Sequence, residues 1–433
     1  MSLRSAVLVD GLRTPFARGG RGKLVATRLD EVGARVLRTL LDRNRRIPDS
    51  MIEDVGLGNV GGQGEFTLLG TVPRLAGLPL EACSFNSNRQ CGSSMETLHR
   101  IAMAIMVGTL DCGIALGIER MGRGLMSGGG PPPTRVTRMN PRLLEMNEVQ
   151  KRMAPDHDAY FSVPFPDYIL ESSPITSMLQ TAQNVAEVYD LTRRELDEYA
   201  LASHQKTHAA YEAGIYKEEV LPLEVEAPVF DDHGHWVEAE TGPRVPFERD
   251  EGIRPGTTLE KLAKLPPIPG VISLGQKEIV ITAGNSCPTN DGVSAALVMS
   301  EALAARLGIE PLARIVGLGV GGVKPQLMGI GPIVSTRKAL AHAGIDADRI
   351  DRVEFNEAFA AQVIPSLREL GIPQEKVNVN GGSIAIGHPL GATGARLVTT
   401  VAMELRRSGQ RYGLATQCIG AGMGISTLLE RLD

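Results

Sequence analysis

Cysteine is scarce in this 433-residue chain: there are five, an odd set at Cys83, Cys91, Cys112, Cys287 and Cys418, none in CxxC spacing. Such a set argues against a disulfide framework and against a structural zinc site, and it points to a reducing compartment, with the cytoplasm as the expected location. An excess of basic charge is missing too. The formal net charge is -5, so nothing in the composition suggests nucleic acid as a partner. Long apolar runs are absent: the most apolar helical stretch, Ile101 to Leu110, is too short to span a bilayer. The opening "MSLRSAVLVDGLRTPF" has neither the apolar core of a secretory signal nor the Arg/Ser-rich character of a transit peptide. What is present, 42% apolar and 22% charged residues, is ordinary for a globular protein, and the length suits two or three domains.

Three zones follow one another. In the first, to about Met121, "SAVLVDG", "VGLGNV" and "CGIALGIE" read as strands, while "LDEVGARVLRTLLDRN" and "METLHRIAMAIMVGTL" read as helices, the second mostly buried. Strands alternating with helices predict an α/β fold with a mostly parallel sheet. The second zone, Gly122 to Arg249, opens on the Gly/Pro-rich "GRGLMSGGGPPPTRVTR" and continues in charged helical stretches; it reads as an insertion. The α/β pattern resumes through "EIVITAGNSCPTNDGVSAALVMS", and the third zone, from Glu301, repeats the first. "ARIVGLGVGG" matches "SAVLVDGLRT"; Ile350, Val353 and Phe355 fall where Ile52, Val55 and Leu57 fall; and "VNVNGGSIAIGHPLGATGARLVTTVAMEL" matches "FNSNRQCGSSMETLHRIAMAIM". The expected division is 1–121 with 250–300 as one half, 122–249 as an inserted loop domain, and 301–433 as the second half. A duplication of this kind brings corresponding loops together across one cleft.

Four stretches carry chemistry. Cys91, in "NRQCGSSM", precedes a helix, whose unpaired N–H groups favour a thiolate and can hold an oxyanion. An unperturbed thiol is only about 3% ionised at pH 7; a pKa near 7 would make it about half thiolate. The bland alternative is a buried structural thiol. By the repeat, "GGSIAIGHPLGATGA" puts His388 on the loop facing Cys91, a nucleophile and activator pairing; the other histidines lie in helical or charged stretches and are expected at the surface. The "HGH" of His233 to His235 could bind a metal only with a third ligand brought near, and it is read as no metal site. Cys418, in "ATQCIGAGMG", ends a strand and is a candidate acid/base. Asn356, in "EFNEAFA", is either a helix cap or a polar group aimed into the cleft.

Together these stretches resemble the motifs of the thiolase family, in order and along essentially the whole chain, with "RTPF", "DEGIRPGTTLEKLAKLPP", "ITAGNSCPTNDG" and "QLMGIGP" adding to the likeness. The resemblance implies a duplicated thiolase fold, two similar βαβ-rich halves in five layers with an inserted loop domain. It implies an acyltransferase that cleaves a 3-ketoacyl-CoA with coenzyme A as co-substrate, with no permanently bound cofactor and no metal. Cys91 then matches the acylated nucleophile, His388 its activator and part of one oxyanion hole, and Asn356 the residue holding a water in that hole. Cys418 matches the proton shuttle, and Gly420 the glycine whose N–H joins that of Cys91 in a second hole. Met178, Met328 and Phe359 match the lining of the pantetheine tunnel, and Cys287 stands where a CoA-contacting serine is common. "CGSSM" is closer to the multienzyme-complex type, while Ser177 and Gln183 depart from short-chain biosynthetic members, which favours a larger or unusual acyl group. A homodimer or homotetramer is expected. The long segment "APDHDAYFSVPFPDYILESSPIT" either packs over the site or docks a membrane surface or a hydratase/dehydrogenase subunit. The competing readings are a biosynthetic condensing enzyme and a non-catalytic subunit of a complex.

Overall fold

The computed structural model describes residues 3–61, 70–122, 160–173 and 176–432. The Gly/Pro-rich opening of the second zone, and parts of the proposed docking segment, therefore lie outside the described residues. In the first half β1 (Ala6–Arg13), helix α1 (Leu29–Arg43), β2 (Asp54–Gly58), β3 (Cys83–Ser87), helix α2 (Ser93–Val107) and β4 (Cys112–Arg120) follow in order. Helices α3 (Met178–Val188) and α4 (Arg193–Glu212) and a hairpin of Leu223–Phe230 with Trp236–Phe247 come next. Strand β5 (Asn290–Ser300) completes the first half. The second half repeats the plan: β6 (Ala313–Gly322), α5 (Gly331–Ala343), β7 (Arg352–Phe355), α6 (Ala360–Leu370), α7 (Leu390–Ser408), β8 (Tyr412–Ile419) and β9 (Met423–Glu430). Even the details recur. A 3-10 turn precedes β2 at Asp49–Met51 and β7 at Ala347–Arg349, and the parallel β2–β3 pairing is echoed by a single parallel bridge from Val353 to Val377.

The main sheet runs β7-β8-β9-β6-β1-β5-β4-β2-β3, with the two-residue strand Ala17–Arg18 beside β5. The expectation of a mostly parallel sheet is corrected. Only β2–β3, β2–β4 and β7–β8 are parallel; β1, β5, β6 and β9 pair antiparallel with their neighbours. In each half the last strand returns beside the first, and a helix-periodic pattern between strands does not reveal that return. Nor is "EIVIT" a strand: Val280 and Ile281 are buried in a loop, and the ladder begins at Asn290.

The two halves of the sheet join at only two residue pairs, Val7↔Arg314 and Leu8↔Ala313. They stack with α2 and α7 between them, α1 outside the first and α5 outside the second. This gives five layers. A middle-layer helix touches protein on every side, so it is buried all round: α7 is buried from Gly391 to Leu405 without a break, its polar residues included. The central core joins Met95, Leu98, Ile101 and Ile105 of α2 to Leu397, Val398, Val401 and Leu405 of α7. The strands β1, β4, β5 and β8 are buried along their full length, as sheets covered on both faces must be. Helices α3 and α4, though inserted in the first half, pack on the second: α3 on Pro325–Ile330 and α6, and α4 on Ser383–Ile386 and α6.

Candidate active site

The first turns of α2 and α7 meet at backbone distance. Ser94 Oγ accepts from the Ala395 N–H at 3.0 Å, and a Cβ at Gly394 would sit 2.4 Å from the Met95 nitrogen. Cys91, three residues before Ser94, and His388, two before the first residue of α7, thus precede helix starts that the two halves bring together.

Cys91 follows Gln90, a non-glycine residue at φ 48°, and precedes Gly92, which caps α2 without a side-chain bond. The loop is tied locally: Ser93 Oγ accepts from the Arg89 N–H at 3.0 Å and donates to Gln90 O at 2.6 Å. Strand β8 grips it from the other half, Gln417 Nε2 donating to Cys91 O at 2.7 Å. Burial pushes the Cys91 thiol up to about 11, against the N–H groups of Gly420 and of Cys91 itself, which pull it down; the charge of Glu119 adds to the rise. This corrects the expectation of a half-ionised thiol. Desolvation exceeds the helix-terminus effect, and at pH 7 only about one thiol in ten thousand is ionised. Glu119, itself buried, accepts from the N–H groups of Val60, Gly61 and Gly391 and so ties the loop after β2 to the first turn of α7.

His388 is buried and its pKa falls to about 3, chiefly by desolvation, with the Arg396 charge adding. Its tautomer follows from its neighbours. Thr393 Oγ1 donates to Pro389 O at 2.9 Å, so it accepts from His388 Nδ1–H at 2.7 Å. Nε2 is then the unprotonated nitrogen, accepting from Asn356 Nδ2 at 3.3 Å. Asn356 is not a helix cap, since α6 begins at Ala360. Its Oδ1 accepts from Ser383 Oγ at 2.7 Å, and Ser383 Oγ accepts from Arg396 Nη2 at 2.9 Å. Arg396 is in turn paired with buried Glu354. The order of donors fixes the Asn356 amide with its NH2 toward His388.

Cys418, the last residue but one of β8, is fully buried, and its pKa is raised by burial and by the nearby Cys91. Its Sγ donates to Gln362 Oε1 at 3.1 Å. Gly420 begins the turn between β8 and β9, its Cα side facing Gln90. Cys287, half-buried, donates its N–H to Ala358 O at 3.0 Å, and burial together with Cys91 raises its thiol. Cys287, Cys418, Met178, Met328 and Phe359 all belong to one apolar cluster.

Two sequence signals receive structural roles. Ser177 caps α3 by accepting from the Gln180 N–H, and buried Gln183 holds the loop at Glu278 and Val280. The expectation of surface histidines is corrected for His99 and His204, both buried: one sits in the middle layer, the other on α4 near the Arg254 charge. His233 and His235 lie in the turn of the inserted hairpin, bonded through their N–H groups to Asp231. The residues missed were Thr393, Ser383, Arg396, Gln362 and Glu357. The first four are lone polar side chains in apolar or glycine-rich runs, where a buried polar residue is the informative exception; Glu357 stands beside Asn356 in "EFNEAFA". Glu357 accepts from Tyr199, Ser203, Asn378 and the Ile384 N–H, anchoring α4 to the loop that carries Asn356.

Residues 6–302 match the family model "Thiolase, N-terminal domain" and residues 309–431 match "Thiolase, C-terminal domain". The chain belongs to the thiolase family. It is 38% identical over 436 residues to the 3-oxoadipyl-CoA/3-oxo-5,6-dehydrosuberyl-CoA thiolase of Escherichia coli, covering 99% of this chain and 100% of that one. It is 37% identical over 434 residues to a 3-ketoacyl-CoA thiolase of Vibrio vulnificus, with 99% and 100% covered. Among solved structures it superposes on the Bacillus anthracis acetyl-CoA acetyltransferase with a TM-score of 0.81 and on the human mitochondrial 3-ketoacyl-CoA thiolase with 0.78; each is 31% identical, with both chains fully covered. As a thiolase, the chain is an acyltransferase. Among the described residues no helix is long and apolar enough to cross a membrane.

Proposed function

We propose that this thiolase cleaves a 3-ketoacyl-CoA with coenzyme A, giving acetyl-CoA and a shortened acyl-CoA through an acyl-Cys91 intermediate. The observation that carries the reading is the hydrogen-bonded chain from Cys418 through Gln362 and Asn356 to His388 and Thr393, beside a thiol approached by the N–H groups of Gly420 and Cys91. Because both Cys91 and His388 rest uncharged, the sulfur becomes nucleophilic by passing its proton to His388 Nε2 as it attacks the keto carbon. The tetrahedral alkoxide collapses, the bond between C2 and C3 breaks, and the thioester enolate leaves. The Cys418 thiol protonates the enolate carbon to give acetyl-CoA. The resulting Cys418 thiolate takes the proton of incoming CoA, whose sulfur removes the acyl group from Cys91; the departing sulfur recovers its proton from His388. Each oxyanion donor, at His388 with an Asn356-held water or at Cys91 and Gly420, is worth about 2.7–4 kcal/mol.

In this reading Met178, Met328, Phe359 and Cys287 line the channel for the pantetheine and acyl groups, and the division into 1–121 with 250–300, 122–249 and 301–433 separates nucleophile, cover and base. Coenzyme A is the co-substrate and no cofactor stays bound. A cytoplasmic homodimer or homotetramer is the expected working form, with the inserted domain as the face for any hydratase/dehydrogenase subunit or membrane surface.

The test is intact-protein mass spectrometry after mixing with 3-ketoacyl-CoAs in the absence of free CoA, the panel spanning fatty, aromatic and ω-carboxylated chains. An adduct on Cys91 that is missing in Cys91→Ala supports the reading and names the acyl class. A folded protein that gains no adduct from any member overturns it.

A further inference from the structure

Gln362 lies on the first turn of α6, fully buried. It contributes nothing to the steps above except contact with two residues that do. Its Nε2 donates to the carbonyl of Asn356 at 2.8 Å. A backbone carbonyl only accepts, so the amide is fixed with Oε1 on the other side, where Cys418 Sγ donates to it at 3.1 Å. The root of the side chain is closely packed as well: a Cβ added at Gly329 would lie 2.9 Å from Gln362 Cβ. An acceptor held against a thiol stabilises the protonated form and disfavours the thiolate.

We propose that Gln362 is a positioning residue that keeps Cys418 protonated until the enolate leaves, and that ties this proton to the backbone of Asn356. This rests on Cys418 being the acid/base of the proposed reaction. In that reaction the S–H bond of Cys418 breaks as a C–H bond forms on the enolate carbon, leaving Cys418 as thiolate. The same thiolate, working in reverse, removes a methyl proton from acetyl-CoA.

Exchange of the acetyl-CoA methyl protons in D2O, followed by NMR across pH, reads that thiolate directly. In Gln362→Met the acceptor is gone, and the midpoint of exchange moves toward lower pH by roughly one unit. In Gln362→Glu, an isostere bearing negative charge, it moves toward higher pH. Thiolysis kcat falls at least about tenfold in Gln362→Met, while KM for the 3-ketoacyl-CoA stays within about threefold. Opposite shifts support the proposal. Midpoints that coincide with wild type, or that move the same way in both variants, overturn it and leave Gln362 a packing residue. Should Gln362→Met fail to fold, the isosteric Gln362→Glu carries the test alone, an unmoved or lowered midpoint being the overturning result. Cys418→Ala separates the two layers of the argument: wild-type exchange in that variant removes the acid/base reading itself, whatever the Gln362 variants do.

Discussion

The same strand-to-helix crossing is built twice in this thiolase and ends differently each time. In the first half β3 runs through Asn88–Gln90 and sets Cys91 at the start of α2, with Gln90 taking the left-handed φ of 48°. In the second half the chain runs from Val377 through Gly381 to Gly387, whose φ is 116°, and sets His388 just ahead of α7. A Cβ at Gly387 would lie 2.6 Å from the Asn290 side chain, and Asn290 Oδ1 accepts from the His388 N–H; glycine here serves both the backbone angle and the close approach. Both products are buried, and burial moves them in opposite numerical directions for one reason. It disfavours charge, so the thiol rises to about 11 and the imidazole falls to about 3. Both groups therefore rest uncharged near neutral pH; in the proposed reaction a nucleophile arises only when a proton crosses from one half to the other.

The sharpest way to break that comparison is to remove the receiving half. His388→Asn is expected to lower kcat/KM for thiolysis by about 10²–10⁴-fold, with acyl-Cys91 formation slowed in step. The wild-type pH profile tests the same point. Since the free enzyme's His388 titrates near 3 and Cys91 near 11, kcat/KM has no limb near 6.5 arising from either group. An acid limb at that pH that disappears in His388→Asn would show an imidazole charged near neutrality and undo the argument.

Next in size is the staple that joins the insertion to the first half. Arg13, from "RTPF", is fully buried, pairing with Glu219 at 2.7 Å and with both oxygens of Asp250 at 2.8 and 3.1 Å. Tyr211 and the Phe16 N–H also bond to Asp250. Arg13→Met leaves two buried carboxylates without their cation, expected to cost about 3–5 kcal/mol in urea unfolding. Normal stability with lost activity would instead place Arg13 in the reaction.

How much of this was legible depended on the kind of signal. Cys91, His388, Cys418 and Asn356 stood in motifs, and the structure joins three of them by hydrogen bonds and brings Cys91 against Gly420. The repeat was legible because β2 and β7, and α2 and α7, keep their apolar spacing. The antiparallel returns of β5 and β9 were not, because a buried strand reads the same in either direction. The resting charge of Cys91 was not legible either: the helix start is visible in the letters, whereas the desolvation that outweighs it comes from β8 and α7, hundreds of residues away. Gln362, Ser383 and Thr393 escaped for a related reason. Their partners are set by which atoms the fold brings near, and no spacing encodes that.

A smaller effect tests how closely the halves must approach. Gly394 on α7 meets the Met95 backbone on α2, so Gly394→Val forces the two helix starts apart. Overpacking of this kind costs about 1–3 kcal/mol. If the converging helix starts align Cys91 with His388, kcat falls more than stability loss explains when assayed well below the melting temperature. Gly344→Ala, at an exposed αL cap with open space around it, is the control: strained locally, far from the crossing, and expected to leave kcat unchanged.

The smallest expected effect concerns His99, the histidine that bridges the halves through Thr427. It lies on α2, its Nε2 at 2.9 Å from Thr427 Oγ1 of β9, and its pKa falls to about 3 through burial, with Arg89 and His342 adding. The folded value lies below the unfolded value near 6.5, so between about pH 3 and 6.5 the unfolded chain binds more protons. Stability from this group is therefore complete above pH 6.5 and declines as pH falls toward 3. One unit below 6.5 the loss is about 1.4 kcal/mol. His388 and His204, lowered in the same direction, add to the acid sensitivity of the wild type. His99→Gln keeps a polar partner for Thr427 and cannot be protonated. Urea unfolding of both proteins at pH 7.5 and 5.5 should show the variant losing about 1.4 kcal/mol less than wild type between the two. Equal losses would mean that His99 is solvated enough to charge in the folded state, and that the middle layer is wetter than its packing indicates.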